Sequence, residues 1–266
     1  MMKQEFFNRS TKYYWQKWSI ALRIIPLVLL VGILKFLSHT FEFEFMELNA
    51  LFTSLVAGTI FLIGFLITGV LSDYKESEKI PSELTATLKS LFDDTYTIYK
   101  AKNSDTALQF LNYQKTFISS LVDWFYKRER TNSVLNKISL MNDYFVSLDN
   151  EGVQPNYIIK MKNEQNNIRK LILRIDTIRD TGFIGSAYAI VEVMWVAIAV
   201  GLIIIKIDPF YASLFFTTLV MFLLSYMFLL IKDLDNPFDY SARGESGTEI
   251  SLKPIRDLEI ALKDFN

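Results

Sequence analysis

Ser54, Ala57, Gly58, Phe61, Phe65, Thr68 and Ser72 recur mostly every three or four residues. At about 100° per residue they fall on one face of a helix. Small and hydroxyl-bearing side chains mark both ends of that stripe, and two phenylalanines one turn apart hold its middle. A lipid-facing surface has no need of this composition; a helix lining a narrow, gated pore has. Alternatively, Phe61 and Phe65 simply pack between helices, as aromatic rings do in close-packed interiors.

Residues suited to catalysis are sparse. His39 is the single histidine, and neither a second His nor a Cys stands near it as a metal partner. No phosphate-cradling glycine loop and no nucleophile elbow is present. Asp93 and Asp94 are adjacent, so they point to different sides of a helix and are expected to be solvated. The chain is therefore not expected to be an enzyme, and no cofactor or metal is implied.

The elements that must carry the stripe follow from composition. The chain has 266 residues, of which 51% are hydrophobic and 15% aromatic, and its mean hydropathy is +0.22. The excess lies in four blocks: Trp18 to Leu37, Leu48 to Ser72, Phe183 to Ile205, and Pro209 to Ile231. Leu48 to Ser72 is a run of 25 residues without a charge, and about 20 apolar residues suffice to cross the hydrocarbon core. The first block carries Arg23 and Lys35 near its ends, where long side chains can snorkel to headgroups. It is expected to be a span rather than a cleaved signal peptide, because aromatic and charged residues precede it and no small-residue cleavage site follows.

Lysine and arginine placement sets the expected orientation. Ser38 to Glu47 has no Lys or Arg but holds Glu42, Glu44 and Glu47. The N-terminal arm holds Lys3, Arg9, Lys12 and Lys17, and the central segment is dense in both. A multi-pass cell-membrane protein with both termini cytoplasmic is expected. A net charge of −1 implies no general attraction to nucleic acid. The expected division is residues 1–72 (arm and spans one and two), 73–182 (a cytoplasmic helical domain), 183–231 (spans three and four) and 232–266 (a cytoplasmic tail).

The central segment shows four apolar stripes at helical spacing. They are Leu84, Leu88, Leu91, Thr95 and Ile98; Leu108, Leu111, Ile118, Leu121 and Phe125; Leu135, Ile138, Met141, Phe145 and Leu148; and Met161, Ile168, Leu171, Ile175 and Ile178. Pro81-Ser82-Glu83, Asn103-Ser104-Asp105, Asn150-Glu151-Gly152 and Pro155 punctuate them. The first and fourth of these helices are candidates to continue spans two and three as long rods. Ile255, Leu258 and Leu262 suggest a short closing helix. The fold class is an all-α membrane protein with four transmembrane helices and a helical domain inserted between spans two and three.

Two motifs carry a family resemblance. Phe61-Leu-Ile-Gly64-Phe65-Leu-Ile-Thr68 resembles the Phe-x-x-Gly-Phe-x-x-Thr spacing of the bestrophin pore helix. Asn236-Pro237-Phe238 resembles the segment that follows the last span in that family. The shorter, bacterial bestrophin-like branch is the more similar. The resemblance implies a homopentameric ion channel, with partners limited to further copies of itself, inorganic ions and membrane lipid. It implies a pore neck of Phe61 and Phe65 rings, with Ala57 in a third neck position and Ser54, Gly58, Gly64, Thr68 and Ser72 lining the path. Such rings gate by dewetting.

The sequence also departs from animal bestrophins. Their acidic run after Asn-Pro-Phe completes a calcium site, whereas Asp239-Tyr-Ser-Ala-Arg243 follows here. Asp73 stands where their pore helix turns basic, and Ala57 is smaller than the usual neck residue. Glu47 and Asp73 are expected at the two mouths, where five copies would favour cations or leave the pore weakly selective. Glu192, inside span three, needs a partner or water, and Arg23 is the expected partner in a structural ion pair. A membrane-anchored scaffold or sensor, whose cytoplasmic helices bind a protein partner, is the alternative from another class.

Overall fold

A computed structural model describes residues 2–180, 185–240 and 249–263, with side chains from Trp18 onward. The side chains of the basic N-terminal arm, the start of the third apolar block and the polar stretch around Arg243 lie outside those descriptions. Among the described residues, four helices are long and apolar enough to cross a membrane. They belong to α1 (Met2–Thr40), α2 (Ala50–Ser77), α7 (Gly185–Ile204) and α8 (Phe210–Asp235). Between them in sequence come α3 (Ile80–Lys102), α4 (Asp105–Phe125), α5 (Thr131–Asn150) and α6 (Pro155–Asp180), and α9 (Lys253–Lys263) ends the order. Among the described residues the fold is all-α but for one two-residue parallel bridge, β1 (Met46–Glu47) with β2 (Ile205–Lys206).

The chain divides into two compact units. The first comprises residues 1–74 and 182–235, the second residues 75–181 and 236–266. In the first, α2 starts where Asn49 accepts a hydrogen bond from Phe52 N at 2.9 Å, satisfying a donor that a helix start leaves free. Phe52, Ile63, Leu66 and Val70 of α2 are buried with Val191, Ile198 and Leu202 of α7 and Met221 and Leu224 of α8. Gly201 lets the Phe52 ring lie against α7: a Cβ there would sit 2.3 Å from Phe52 Cε2.

The second unit follows most of its sequence stripes, but Leu108 is exposed, and Val134 and Ile172 are fully buried where Leu135 and Leu171 were expected. Leu84, Leu91, Leu121, Ile138, Met161, Ile168 and Ile175 are all fully buried. Pro81 sits in the first turn of α3, where its missing N–H costs nothing. Asn103 ends α3 in the left-handed region at φ 50°, and Ser104 caps α4 by accepting from Ala107 N at 3.0 Å. Gly152, at φ 72°, turns the chain after α5. Residues 78–79 form a turn between α2 and α3, so span two does not run on as one unbroken helix.

The aspartates differ from expectation. Asp93 is exposed and pairs with Lys89, but Asp94 is buried and accepts from Lys160 at 2.8 Å. The helix turns Asp94 toward α6, where a cation meets it; adjacency alone did not reveal that.

Candidate functional site

Ser54, Ala57, Gly58, Phe61, Phe65, Thr68 and Ser72 are all exposed on α2, and Gly64 beside them is partly so. Phe61 is 78% exposed and Phe65 69%. The other face of the same helix carries the buried Phe52, Thr59, Ile63, Leu66 and Val70. A Cβ at Gly58 or Gly64 would meet nothing within 4 Å, so neither glycine is needed for packing inside the chain. Thr68 donates to the Gly64 carbonyl at 2.9 Å, which leaves its oxygen free to accept on the open face. Glu47 and Asp73, on either side of the stripe in sequence, are exposed as well.

A second feature has no counterpart in the sequence expectations. Lys35 does not snorkel: its side chain is fully buried, 2.6 Å from Glu44 Oε1. It also donates to the Ile205 carbonyl. His39 Nδ1 lies 2.8 Å from Glu44 Oε2, and its ring stacks on Phe210 with centroids 4.0 Å apart. The end of α1 explains how Glu44 returns to Lys35. Glu42 adopts φ 57°, and Phe43 N reaches back to the Ser38 carbonyl at 2.8 Å, a left-handed helix stop that reverses the chain. The alternation Phe41-Glu-Phe-Glu-Phe45 then turns inside out. Its phenylalanines are exposed, while the Glu44 side chain is only 7% exposed.

Burial raises the Glu44 carboxyl, but hydrogen bonds from Lys35 and His39, and their charges, outweigh it and hold the group below its ordinary value. Glu44 is thereby withdrawn from the acidic set Glu42, Glu44 and Glu47. The sequence signal was present in the Phe/Glu alternation and in Lys35 one helical turn before His39, but only the reversal at Glu42 joins them.

The expected Arg23–Glu192 pair is not formed. Glu192 accepts from Lys232 at 3.0 Å, and Arg23 pairs with Asp233 at 3.4 Å. Both carboxylates find cations because the last turn of α8 carries Lys232 and Asp233, whose charges reach α7 and α1 respectively.

Asn236, Pro237 and Phe238 follow α8 as a turn in the second unit. Phe238 is buried, the Pro237 carbonyl accepts from Ile250 N at 3.0 Å, and Tyr240 OH donates to the Ile250 carbonyl at 2.6 Å. Arg179 gathers this turn onto α4. It donates to the Phe238 carbonyl at 3.3 Å and to the Phe125 carbonyl at 3.0 Å, with its guanidinium 4.4 Å above the Trp124 ring. Asp239 is paired with Lys127. Among the described residues, no three His, Asp or Glu side chains gather as a metal site.

No family model and no curated protein matches the sequence. Solved structures do match. Two variants of a bacterial bestrophin homologue from Klebsiella pneumoniae superpose with TM-scores of 0.75 at 16% identity. They cover 92% and 91% of this chain and 98% of their own. The chain has the bestrophin fold. A crystal structure of a membrane protein matches it similarly, with a TM-score of 0.76 at 15% identity over 91% of this chain and 97% of that one. Within the bestrophin fold, α2 carries the Phe-x-x-Gly-Phe motif and the turn after α8 carries Asn-Pro-Phe, both on ordered backbone.

Proposed function

We propose that this chain is the subunit of an ion channel, a homopentamer in which five α2 helices surround the axis. The observation that carries it is the two-sided character of α2. One face is buried inside the chain, and the opposite face, with Phe61 and Phe65 at its centre, is left open along its length. A second copy of the same stripe across an axis is the partner that small residues, hydroxyls and a central aromatic pair suit.

In this assembly Phe61 and Phe65 form stacked rings, and Ala57 a wider third one. A narrow apolar tube sheds its water, and an ion crosses only when the neck widens. Ser54, Gly58, Gly64, Thr68 and Ser72 give a wetter path on either side. With Glu44 held inside its own subunit, Glu47 and Asp73 supply the negative field at the mouths, favouring cations or giving weak selectivity. In this reading four spans leave both termini and α3 to α6 on one side of the membrane, and the placement of lysine and arginine supports the cytoplasmic side. A scaffold role draws no comparable support, since the apolar stripes of α3 to α6 are buried in their own unit.

The test is ion flux into vesicles containing the purified protein, comparing wild type with Phe61→Ala and Phe65→Ala. Both substitutions increase leak. Unchanged flux from a stable oligomer would mean that the rings do not gate. Reversal potentials in asymmetric salt test selectivity, and a chloride reversal would overturn the cation preference.

A further inference from the structure

Between α1, α7 and α8 lies a cleft of ≈ 480 Å³, within the size range of ligand sites. Leu27, Val196, Phe228 and Leu229 give it apolar walls, Trp195 stands among them, and Arg23 and Glu192 also line it. The Trp195 indole N–H is already satisfied by Ser225 Oγ at 3.0 Å, so the ring offers the cleft only its apolar surface.

The charged part has a particular composition. Arg23 is paired with Asp233 and Lys232 with Glu192, so two cations and two carboxylates sum to zero. Arg23, Lys232 and Glu192 each keep about half of the side chain exposed. Lys232 also lies 4.5 Å from the centre of the Phe228 ring, which ties the charge cluster to the apolar wall. A purely basic pocket between spans would suit an anionic headgroup. Here an anionic headgroup would meet Glu192 as well as Arg23 on the cleft wall, each beside its partner, Lys232 and Asp233 respectively. A headgroup carrying both signs matches both pairs.

We propose that this cleft is a binding site for a zwitterionic phospholipid with an ammonium headgroup, of the phosphatidylethanolamine class. Its phosphate lies against Arg23 and Lys232, and its ammonium against Glu192 and Asp233. One acyl chain covers Leu27, Val196 and the Trp195 ring. The site does not depend on whether the assembly conducts ions.

Trp195 supplies the readout. The full-length protein is placed in phosphatidylglycerol bilayers containing a small fraction of phosphatidylethanolamine with brominated acyl chains, and in the reverse mixture. Fluorescence quenching specific to Trp195 is obtained by difference from Trp195→Phe. Association of the brominated phosphatidylethanolamine is expected to exceed that of the brominated phosphatidylglycerol by about two- to fivefold, the scale of exposed charge pairs. Glu192→Gln is expected to abolish or reverse that preference. The wild-type ratio decides the matter even if that variant does not fold. Equal quenching by the two lipids would mean general solvation by bilayer, and a preference for phosphatidylglycerol would mean an anionic-lipid site. Protection of Trp195 from both would mean that another copy of the chain covers the cleft. Each of those three results overturns the proposal.

Discussion

Phe52 apart, the phenylalanines compared between the two units of this chain are used in opposite ways. In the second unit Phe92, Phe110, Phe117, Phe125, Phe145 and Phe238 are all fully buried. In the first, Phe61 and Phe65 on α2, and Phe41, Phe43 and Phe45 after α1, are mostly exposed. The same side chain closes a core in one place and stands open in the other. Burial within one chain removes apolar surface from water and rewards every helix that turns inward. A span in lipid has no such drive to bury its rings, and small residues and specific contacts decide which face meets another helix. The exposed rings of α2 are therefore read against what lies outside the chain: lipid, a further copy or a water-filled path.

The strongest way to sharpen the contrast is to remove a core ring. Phe110, stacked on Tyr144 with centroids 4.9 Å apart and edge-on to Phe145 at 5.5 Å, is fully buried. Phe110→Ala is expected to destabilise the protein by about 3–5 kcal/mol, the scale for emptying a buried aromatic site. Thermal unfolding of the purified protein in detergent measures it. A loss below about 1 kcal/mol would mean that the unit collapses around the cavity.

Charge tests the first unit, where a buried pair replaces the buried ring. Lys35→Ala leaves Glu44 with His39 alone and strips a donor from the Ile205 carbonyl. A loss of about 3 kcal/mol is expected, because an uncompensated buried charge is what makes breaking such a pair costly. The pH dependence has a defined sign. The Glu44 carboxyl in the folded chain lies below its ordinary value of 4.5. Its stabilisation is therefore present above that value and is lost as pH falls through the lower, folded one. Glu129, Glu151 and Glu259 in the other unit are also held low, by hydrogen bonds that outweigh burial, so acid unfolding of the wild type reports all four. The difference between wild type and Glu44→Gln isolates the first. A difference that does not shrink on acidification would mean that Glu44 is not held ionised by the pair.

These two regions were not equally legible from sequence. Stripes such as Met161, Ile168 and Ile175 announce their own burial, because a period near 3.6 fixes which side chains share a face. The open face of α2 was legible for the same reason. Charge partners were not. Glu192 and Arg23 both needed a counter-charge, but which residue supplied it depended on how α8 is rotated, and Lys232 and Asp233 take one each. Glu44 was hidden more deeply. Its return to Lys35 depends on a non-glycine residue, Glu42, entering the left-handed region, which composition does not advertise. Arg179 was missed because its partners are backbone carbonyls, and carbonyls carry no sequence signal.

Packing between spans gives a smaller effect. Gly201→Ala forces a methyl group to 2.3 Å from the Phe52 ring, and overpacking of this kind costs about 1–3 kcal/mol. Alanine's better helix propensity offsets only about 1 kcal/mol of that. A decrease in thermal stability is expected, and it should be relieved in part by Phe52→Leu in the same chain. If Gly201→Ala raised stability instead, the ring would have room to move and the α2–α7 contact would be looser than its geometry indicates.

The smallest stability change belongs to the residue with the greatest proposed consequence. Phe61→Ala removes a ring that touches little within its own chain, so the stability of the isolated subunit should move by no more than about 0.5 kcal/mol, as for other surface positions. Its effect on flux should be an increase, because in the proposed assembly the substitution widens and wets the constriction. Stability and flux thus separate in opposite directions for Phe110→Ala and Phe61→Ala, although the chemical change is the same. Measuring both quantities on both variants breaks or keeps the distinction between a ring that holds a fold and a ring that guards a path. If Phe61→Ala unfolded the subunit as Phe110→Ala does, the exposed face of α2 would be a packing surface and the neck would have to be sought elsewhere.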